Sequence, residues 1–272
     1  THTFEYYSLA AFRLLPSFNR VTLALINLKT YEYTLEIIDK INPVSGNVNK
    51  SLRNISPFQS FKISKISYKY PNTSKYLFEN FSLEIIKGDI IGISGESGSG
   101  KSTLIKIIAG LLKPNQGKVY YNNEICNDDL ISLWQHKIGY VRQNVFVYNS
   151  SIKNNIAFGV DEQFIDYDKL NYALKLSNLE EFIASNKYGI EYNIGENGSK
   201  LSGGQIQRVG IARAIYFDSE IILFDEPLSS LDDLAQIKIT KTISDLAKKD
   251  FTIIISSHQK QVFKYCNKKI FV

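Results

Sequence analysis

Two short stretches of this chain carry residue types that handle phosphate. The first is Ser94–Thr103, SGESGSGKST. Gly95, Glu96, Ser97, Gly98, Ser99, Gly100, Lys101 and Ser102 fit the pattern of a glycine, four residues, then Gly-Lys-Ser, and Thr103 follows. The glycines let the backbone wrap closely around an anion with several N–H groups turned inward. A helix starting near Lys101 adds its positive end. Lys101 then reaches the β and γ phosphates of a nucleotide, and the Ser102 hydroxyl holds Mg²⁺. The second stretch is IILFDEP. Asp225 ends an apolar run, where its carboxylate can reach the Mg²⁺ shell, and Glu226 follows in position to accept a proton from an attacking water.

Chemistry of this kind needs a rigid frame, and the pattern around the two stretches supplies one. A buried strand is expected at Ile90–Ser94, directly before the loop, and a helix at Leu104–Leu112 after it. EIILFDE and FTIIISSH are short, β-branched and bounded by polar residues, the marks of buried parallel strands. Helical segments are expected at Gln205–Tyr216 and Ala235–Lys248. Alternating strand and helix argues an α/β core. Upstream, SFKISKISYKY alternates and, with FSLEII, reads as antiparallel strands. INPVSGNVNKSLRNISP is polar and reads as a linker.

Residues 1–40 differ from the rest. Leu9, Phe12, Leu15, Val21, Leu25 and Leu28 fall at helical intervals, Pro16 should bend the helix, and Arg13 and Arg20 interrupt it. No uncharged run reaches the roughly 18–20 residues of a membrane span. The stretch by itself suits either an amphipathic helix packed on the core or the cytosolic end of a membrane helix. The chain has 272 residues, 44% hydrophobic and 22% charged, with a net charge of +5. That composition suits a sizeable globular core, and it lacks the dense basic stripe of a nucleic-acid binder. Cys126 and Cys266 lie far apart in no metal-like spacing and read as reduced thiols. Methionine is absent and Thr1 comes first, which reads as a piece of a longer protein.

A second glycine-rich turn, SKLSGGQIQR, stands shortly before IILFDEP. With the phosphate loop and the Asp-Glu pair, it makes residues 61–272 resemble the ATP-binding-cassette (ABC) ATPases. Leu201, Ser202, Gly203, Gly204 and Gln205 match that family's signature motif. The resemblance implies a P-loop NTPase (RecA-like) α/β core, an antiparallel β subdomain and an α-helical signature subdomain at about residues 146–214. It also implies that the signature turn caps the γ-phosphate of ATP held by a second copy of the chain. The residue chemistry agrees: two glycines for close approach, a serine hydroxyl to donate, and a helix N-terminus. By the same resemblance Tyr70 stacks on adenine, Gln143 touches Mg²⁺ and the attacking water, Asp232 belongs to the loop that crosses the dimer, and His258 contacts the γ-phosphate.

Within the family, NVFVYNSSIKNNIAFG and IGENGSKLSGGQ are similar to exporter cassettes, which puts Glu196 in the loop that reads the membrane domain. AFRLLPSFNR resembles the end of the last membrane helix of bacterial exporters, notably those that flip lipid-linked sugars. The resemblance then assigns residues 1–40 to the tail of that helix and 41–60 to a linker. The expected partners are ATP with Mg²⁺, a second copy as a homodimer, and the transmembrane domain of the same polypeptide at the cytoplasmic face of the bacterial inner membrane. Nucleic acid is not expected. Pro227-Leu228, Ser229–Asp232, Gln259 and Asn197 depart from the exporter pattern without removing a catalytic group. The competing classes are a soluble cassette acting on ribosomes or nucleic acid, and a regulatory cassette that binds ATP without hydrolysing it. Intact Lys101, Glu226 and His258 argue against the last.

Overall fold

A computed structural model describes the backbone of residues 2–40 and 56–272; along the first stretch, side chains are described at residue 7 and residues 12–36. The expected linker at residues 41–60 lies outside the described residues as far as residue 55. The chain divides into two compact units, Thr1–Asn54 and Ile55–Val272.

In the first unit His2–Lys40 forms one helix, α1, which runs through Pro16. Proline removes one backbone hydrogen bond there. The surrounding run of good helix formers, among them Leu14, Leu15, Ala24 and Leu25, absorbs that local loss. Thr22, Thr30 and Thr34 return their hydroxyls to the carbonyls of Phe18, Ile26 and Thr30. The described side chains of α1 are exposed, including Phe12, Phe18 and Leu25. Among the described residues no helix is long and apolar enough to cross a membrane.

The second unit opens with strands β1 (Ser60–Tyr68), β2 (Phe78–Ile86) and β3 (Ile90–Ser94), then helix α2 (Lys101–Ile108). Strands β4 (Gln116–Tyr121) and β5 (Glu124–Ile125) follow, then α3 (Asp128–Gln135) and β6 (Ile138–Val141). Four helices come next: α4 (Ile152–Ile156), α5 (Tyr167–Leu176), α6 (Glu180–Ser185) and α7 (Gly203–Tyr216). The chain then returns to the core through β7 (Ile221–Asp225), α8 (Asp233–Ala247), β8 (Thr252–Ser256) and β9 (Lys268–Phe271). The antiparallel sheet runs β2-β1-β4-β5 and the parallel sheet β6-β7-β8-β3-β9.

Every residue of β7 and β8 is buried, because helices cover both faces of the parallel sheet. Alternation along β7 divides the core in two. Ile222 and Phe224 join a cluster built with α5, α7 and α8. Ile221 and Leu223 face the other way, into a cluster with α2 and the antiparallel sheet. That second cluster anchors the helix behind the phosphate loop. The buried Trp134 stacks on Phe61 at 4.5 Å and donates its indole N–H to the Ile108 carbonyl at the end of α2. Phe58 belongs to the same cluster, and its N–H reaches Glu220, so the chain entering β1 is tied down.

Three helices have boundaries that differ from the sequence expectation, because of their caps. Helix α2 starts at Lys101, directly after Gly100 at φ 111°. It ends early, where Gly110 at φ 69° returns N–H bonds to Ile107 and, through Leu111, to Lys106. That is a Schellman closure, which satisfies the last carbonyls and stops the helix. Helices α7 and α8 start two residues early because Ser202 and Asp232 are their N-caps.

Both cysteines are free and partly buried. Burial raises each thiol from 9.0 to about 11. The thiolate is the reactive form, so at pH 8 each thiol should react with iodoacetamide about 100-fold more slowly than an unperturbed one. The labelling rate should keep climbing through pH 9 toward 11; a plateau at pH 9 would contradict this burial effect.

Candidate functional site

The loop between β3 and α2 closes on itself. A Cβ on Gly95 would come within 2.2 Å of the Val272 carbonyl and 2.6 Å of the Ser99 hydroxyl, so no side chain fits there. A Cβ on Gly100 would meet Leu77 and Phe78 at 2.9 Å, in a backbone conformation that L residues rarely adopt. Lys101, only 4% exposed, turns its ammonium into the loop and donates to the carbonyls of Glu96 at 2.8 Å and Gly95 at 3.2 Å. An entering phosphate competes with those neutral acceptors for a buried cation. Tyr70, partly exposed, hydrogen-bonds Thr103 through its hydroxyl at 2.8 Å and packs edge-on against Tyr68.

The two strand ends next to the loop bring the acids to it. Ser102 donates its hydroxyl to Asp225 Oδ1 at 2.8 Å, although 123 residues separate them. Ser256, paired with Asp225 in the β7–β8 register, donates to the same oxygen at 2.8 Å. Tyr140 donates to Asp225 Oδ2 at 3.0 Å. Desolvation first, then the Asp225 charge, pushes the Tyr140 hydroxyl well above the ordinary tyrosine range, so it stays a donor. The Ser102 and Asp225 oxygens form a hard donor pair suited to Mg²⁺, an ion that takes one or two protein carboxylates and completes its shell with substrate phosphates and water. Among the described residues no group of three or more His, Cys, Asp or Glu could hold a metal without such help.

Glu226 sits at φ 50°, an uncommon conformation for a residue with a side chain. Its N–H is pinned by the Ser256 carbonyl and hydroxyl, both at 3.1 Å. That backbone turns the carboxylate toward His258 Nε2 at 3.0 Å and Lys101 Nζ at 3.7 Å. Three residues singled out from separate parts of the sequence therefore meet on one carboxylate.

The signature turn lies elsewhere. Ser202 and Gln205 form a capping box at the start of α7: the Gln205 N–H donates to Ser202 Oγ, and Gln205 Oε1 accepts from the Ser202 N–H. Ser202 and Gly203 are exposed, Leu201 is half-buried, and Gly204 is packed beside Ala235 of α8. Among the described residues no hydrogen bond or ion pair joins Leu201–Gln205 to the phosphate loop or to Glu226. Asp232 caps α8 through the Ala235 N–H at 2.8 Å. Gln143 is exposed, and its side chain makes no hydrogen bond among the described residues; only its carbonyl is held, by the Gln207 side chain. Glu196 is exposed on a tight turn whose Asn197 has φ 51°.

Sequence reasoning passed over Ser256, Tyr140 and Gln207. Ser256 ends the FTIIIS run and was visible as a polar strand end. Tyr140 and Gln207 carry no local signal, because their partners are set by sheet register and by helix packing.

Comparison with known proteins gives the family. A family model described as ABC transporter matches residues 78–229. The chain belongs to the ABC transporter family. It is 35% identical over 211 residues to the multidrug resistance-like ATP-binding protein MdlA of Buchnera aphidicola subsp. Baizongia pistaciae, covering 77% of this chain and 36% of that protein. It is 35% identical over 236 residues to the lactococcin-G-processing and transport ATP-binding protein LagD of Lactococcus lactis subsp. lactis, covering 87% and 33%. An ATP-dependent lipid A-core flippase of Ralstonia nicotianae is 31% identical over 196 residues, covering 72% and 33%. Among solved structures, a bacterial Atm1-family ABC exporter with ATP bound superposes with a TM-score of 0.70 at 26% identity, covering 80% of this chain and 37% of that one. The chain spans about a third of the length of the curated relatives it matches. The α/β fold is thus that of an ABC-type P-loop ATPase domain, and the domain binds ATP.

Proposed function

We propose that this chain is the ATP-hydrolysing part of a membrane exporter, and that it works as a pair of copies sharing two composite sites. The observation that carries the reading is the convergence of Lys101, Glu226 and His258 beside the Ser102–Asp225 pair, with a second phosphate-type turn standing apart from them. The phosphate loop holds the β and γ phosphates against Lys101. Ser102 and Asp225, with Gln143 brought in, hold Mg²⁺, which supplies charge neutralisation to the phosphate oxygens. Tyr70 stacks on the adenine. Glu226 accepts a proton from the water that attacks the γ-phosphorus, and ADP leaves. His258 orients the Glu226 carboxylate and, in the closed pair, touches the γ-phosphate.

Ser202, Gly203, Gly204 and the N-terminus of α7 close over the nucleotide of the other copy, with Asp232 at the crossing. We assign α1 to the tail of the last membrane helix, residues 41–60 to a linker and about 146–214 to the signature subdomain. Glu196 is assigned to the surface that meets the membrane domain at the cytoplasmic face. The printed names of the relatives include a multidrug-resistance-like protein, a lactococcin-G transporter and a lipid A-core flippase. The matched cassette is what they share with this chain, so cargo selection is assigned to the rest of the polypeptide. The cargo in this reading, a lipid-linked saccharide or another lipid, rests on the resemblance of AFRLLPSFNR to the last membrane helix of exporters that flip lipid-linked sugars, and on no feature of the cassette.

The composite site is tested with Glu226→Gln, which should form a dimer in ATP and Mg²⁺ and remain monomeric without them, as read by light scattering. Adding Ser202→Asp keeps an N-cap on α7, since aspartate caps as well as serine. It also places a carboxylate where the partner's γ-phosphate must sit. That double variant should bind ATP with near-normal affinity yet stay monomeric. Loss of ATP binding by the monomer would mean that both turns serve one nucleotide within one chain.

A further inference from the structure

We propose that Tyr140 is a positioning residue for the metal: its hydroxyl orients the Asp225 carboxylate and thereby sets how tightly Mg²⁺ is held with the nucleotide. The inference rests on the reading of Ser102 and Asp225 as metal-holding residues.

The geometry is a consequence of register. Tyr140 pairs with Leu223 in the parallel β6–β7 ladder, so the two side chains share a face of the sheet. Asp225 lies two residues further along β7 on that same face, about 6.6 Å away at the usual strand rise. A tyrosine side chain leaning along its strand spans that distance, and the hydroxyl arrives 3.0 Å from Oδ2. The layer it crosses is apolar. Ile221, Leu223, Ile254, Ile91 and Ile93 belong to the buried cluster against which Tyr140 packs. A hydroxyl in such a layer costs stability unless it is hydrogen-bonded, and Asp225 is the partner it has. Phenylalanine would fill the same space without that polar group, so packing alone gives no reason for a tyrosine.

The division of labour on the carboxylate points the same way. Oδ1 accepts from two hydroxyls, those of Ser102 and Ser256, while Oδ2 accepts from Tyr140. Removing the Tyr140 hydroxyl strips Oδ2 of its protein partner and leaves the carboxylate plane free to turn about the Oδ1 contacts. Groups that hold a metal's carboxylate in this way commonly change metal affinity by about 10–100-fold when removed.

The test is calorimetric titration of the full chain with the non-hydrolysable analogue AMP-PNP, once with excess Mg²⁺ and once with EDTA. In the unaltered chain Mg²⁺ should tighten AMP-PNP binding by a measurable factor, and Asp225→Asn should abolish that factor. In Tyr140→Phe the factor should fall by about 10-fold or more while affinity in EDTA stays within twofold. A melting midpoint measured in EDTA separates this from loss of packing. If Asp225→Asn removes the Mg²⁺ effect and Tyr140→Phe retains it in full, the positioning role is wrong and the metal reading stands. If Asp225→Asn leaves the Mg²⁺ effect intact, the metal reading falls and the inference with it. Equal weakening of Tyr140→Phe with and without Mg²⁺ would mark a packing role and overturn the proposal.

Discussion

Glu226→Gln is expected to lower steady-state ATP turnover by about 10²–10⁴-fold, the usual contribution of a positioned base, with ATP affinity close to that of the unaltered chain. The amide fills the same volume and keeps the φ 50° backbone, because the Glu226 N–H is held by Ser256 rather than by its own side chain. What it loses is the proton acceptor, the ion pair with Lys101 and the carboxylate contact with His258. Phosphate release at saturating ATP reads the effect. A rate within a few-fold of the unaltered chain would put the base elsewhere. His258→Ala should also slow turnover, since it removes the neighbour 3.0 Å from the same carboxylate.

Lys101→Ala is expected to weaken ATP binding by at least about 10- to 100-fold, the range of a hydrogen bond to a charged group. The ammonium is almost fully buried and aimed into the loop, so the alanine removes a charge already directed at the phosphate position. The alanine also removes the Lys101 ion pair from Glu226, which leaves that carboxylate's charge less compensated beside the incoming phosphates. Lys101→Met separates charge from volume: it retains the buried stem and should weaken ATP nearly as much. Calorimetric titration decides, and undiminished affinity in both variants would overturn the phosphate-loop assignment.

Much of this was legible in the linear chain for a definite reason. A phosphate cradle is built from consecutive residues, so Gly95–Thr103 declares itself by spacing alone. The buried strands of a parallel sheet must be apolar on both faces, so IILFD and TIIIS announce themselves as well. The signature turn is equally local, because a capping box needs only Ser202 and a glutamine three residues on. Helix ends were less legible. They depend on caps such as Gly110, which acts through its positive φ, and Asp232, which acts through a side-chain hydrogen bond, and neither effect shows in apolar periodicity.

By itself, then, the sequence determined the identity of the phosphate-handling groups, the α/β alternation that carries them and the family resemblance. These are properties of neighbours along the chain. Only the tertiary structure decided which of those groups touch. Ser102 meets Asp225, and His258 and Lys101 meet Glu226, because β3, β7 and β8 end side by side in one parallel sheet. Tyr140 and Ser256 were chosen as partners of Asp225 by register, where a shift of one residue would turn each side chain to the opposite face. Gln207 holds the Gln143 loop because α7 packs against β6, a contact between segments more than sixty residues apart that no local spacing encodes.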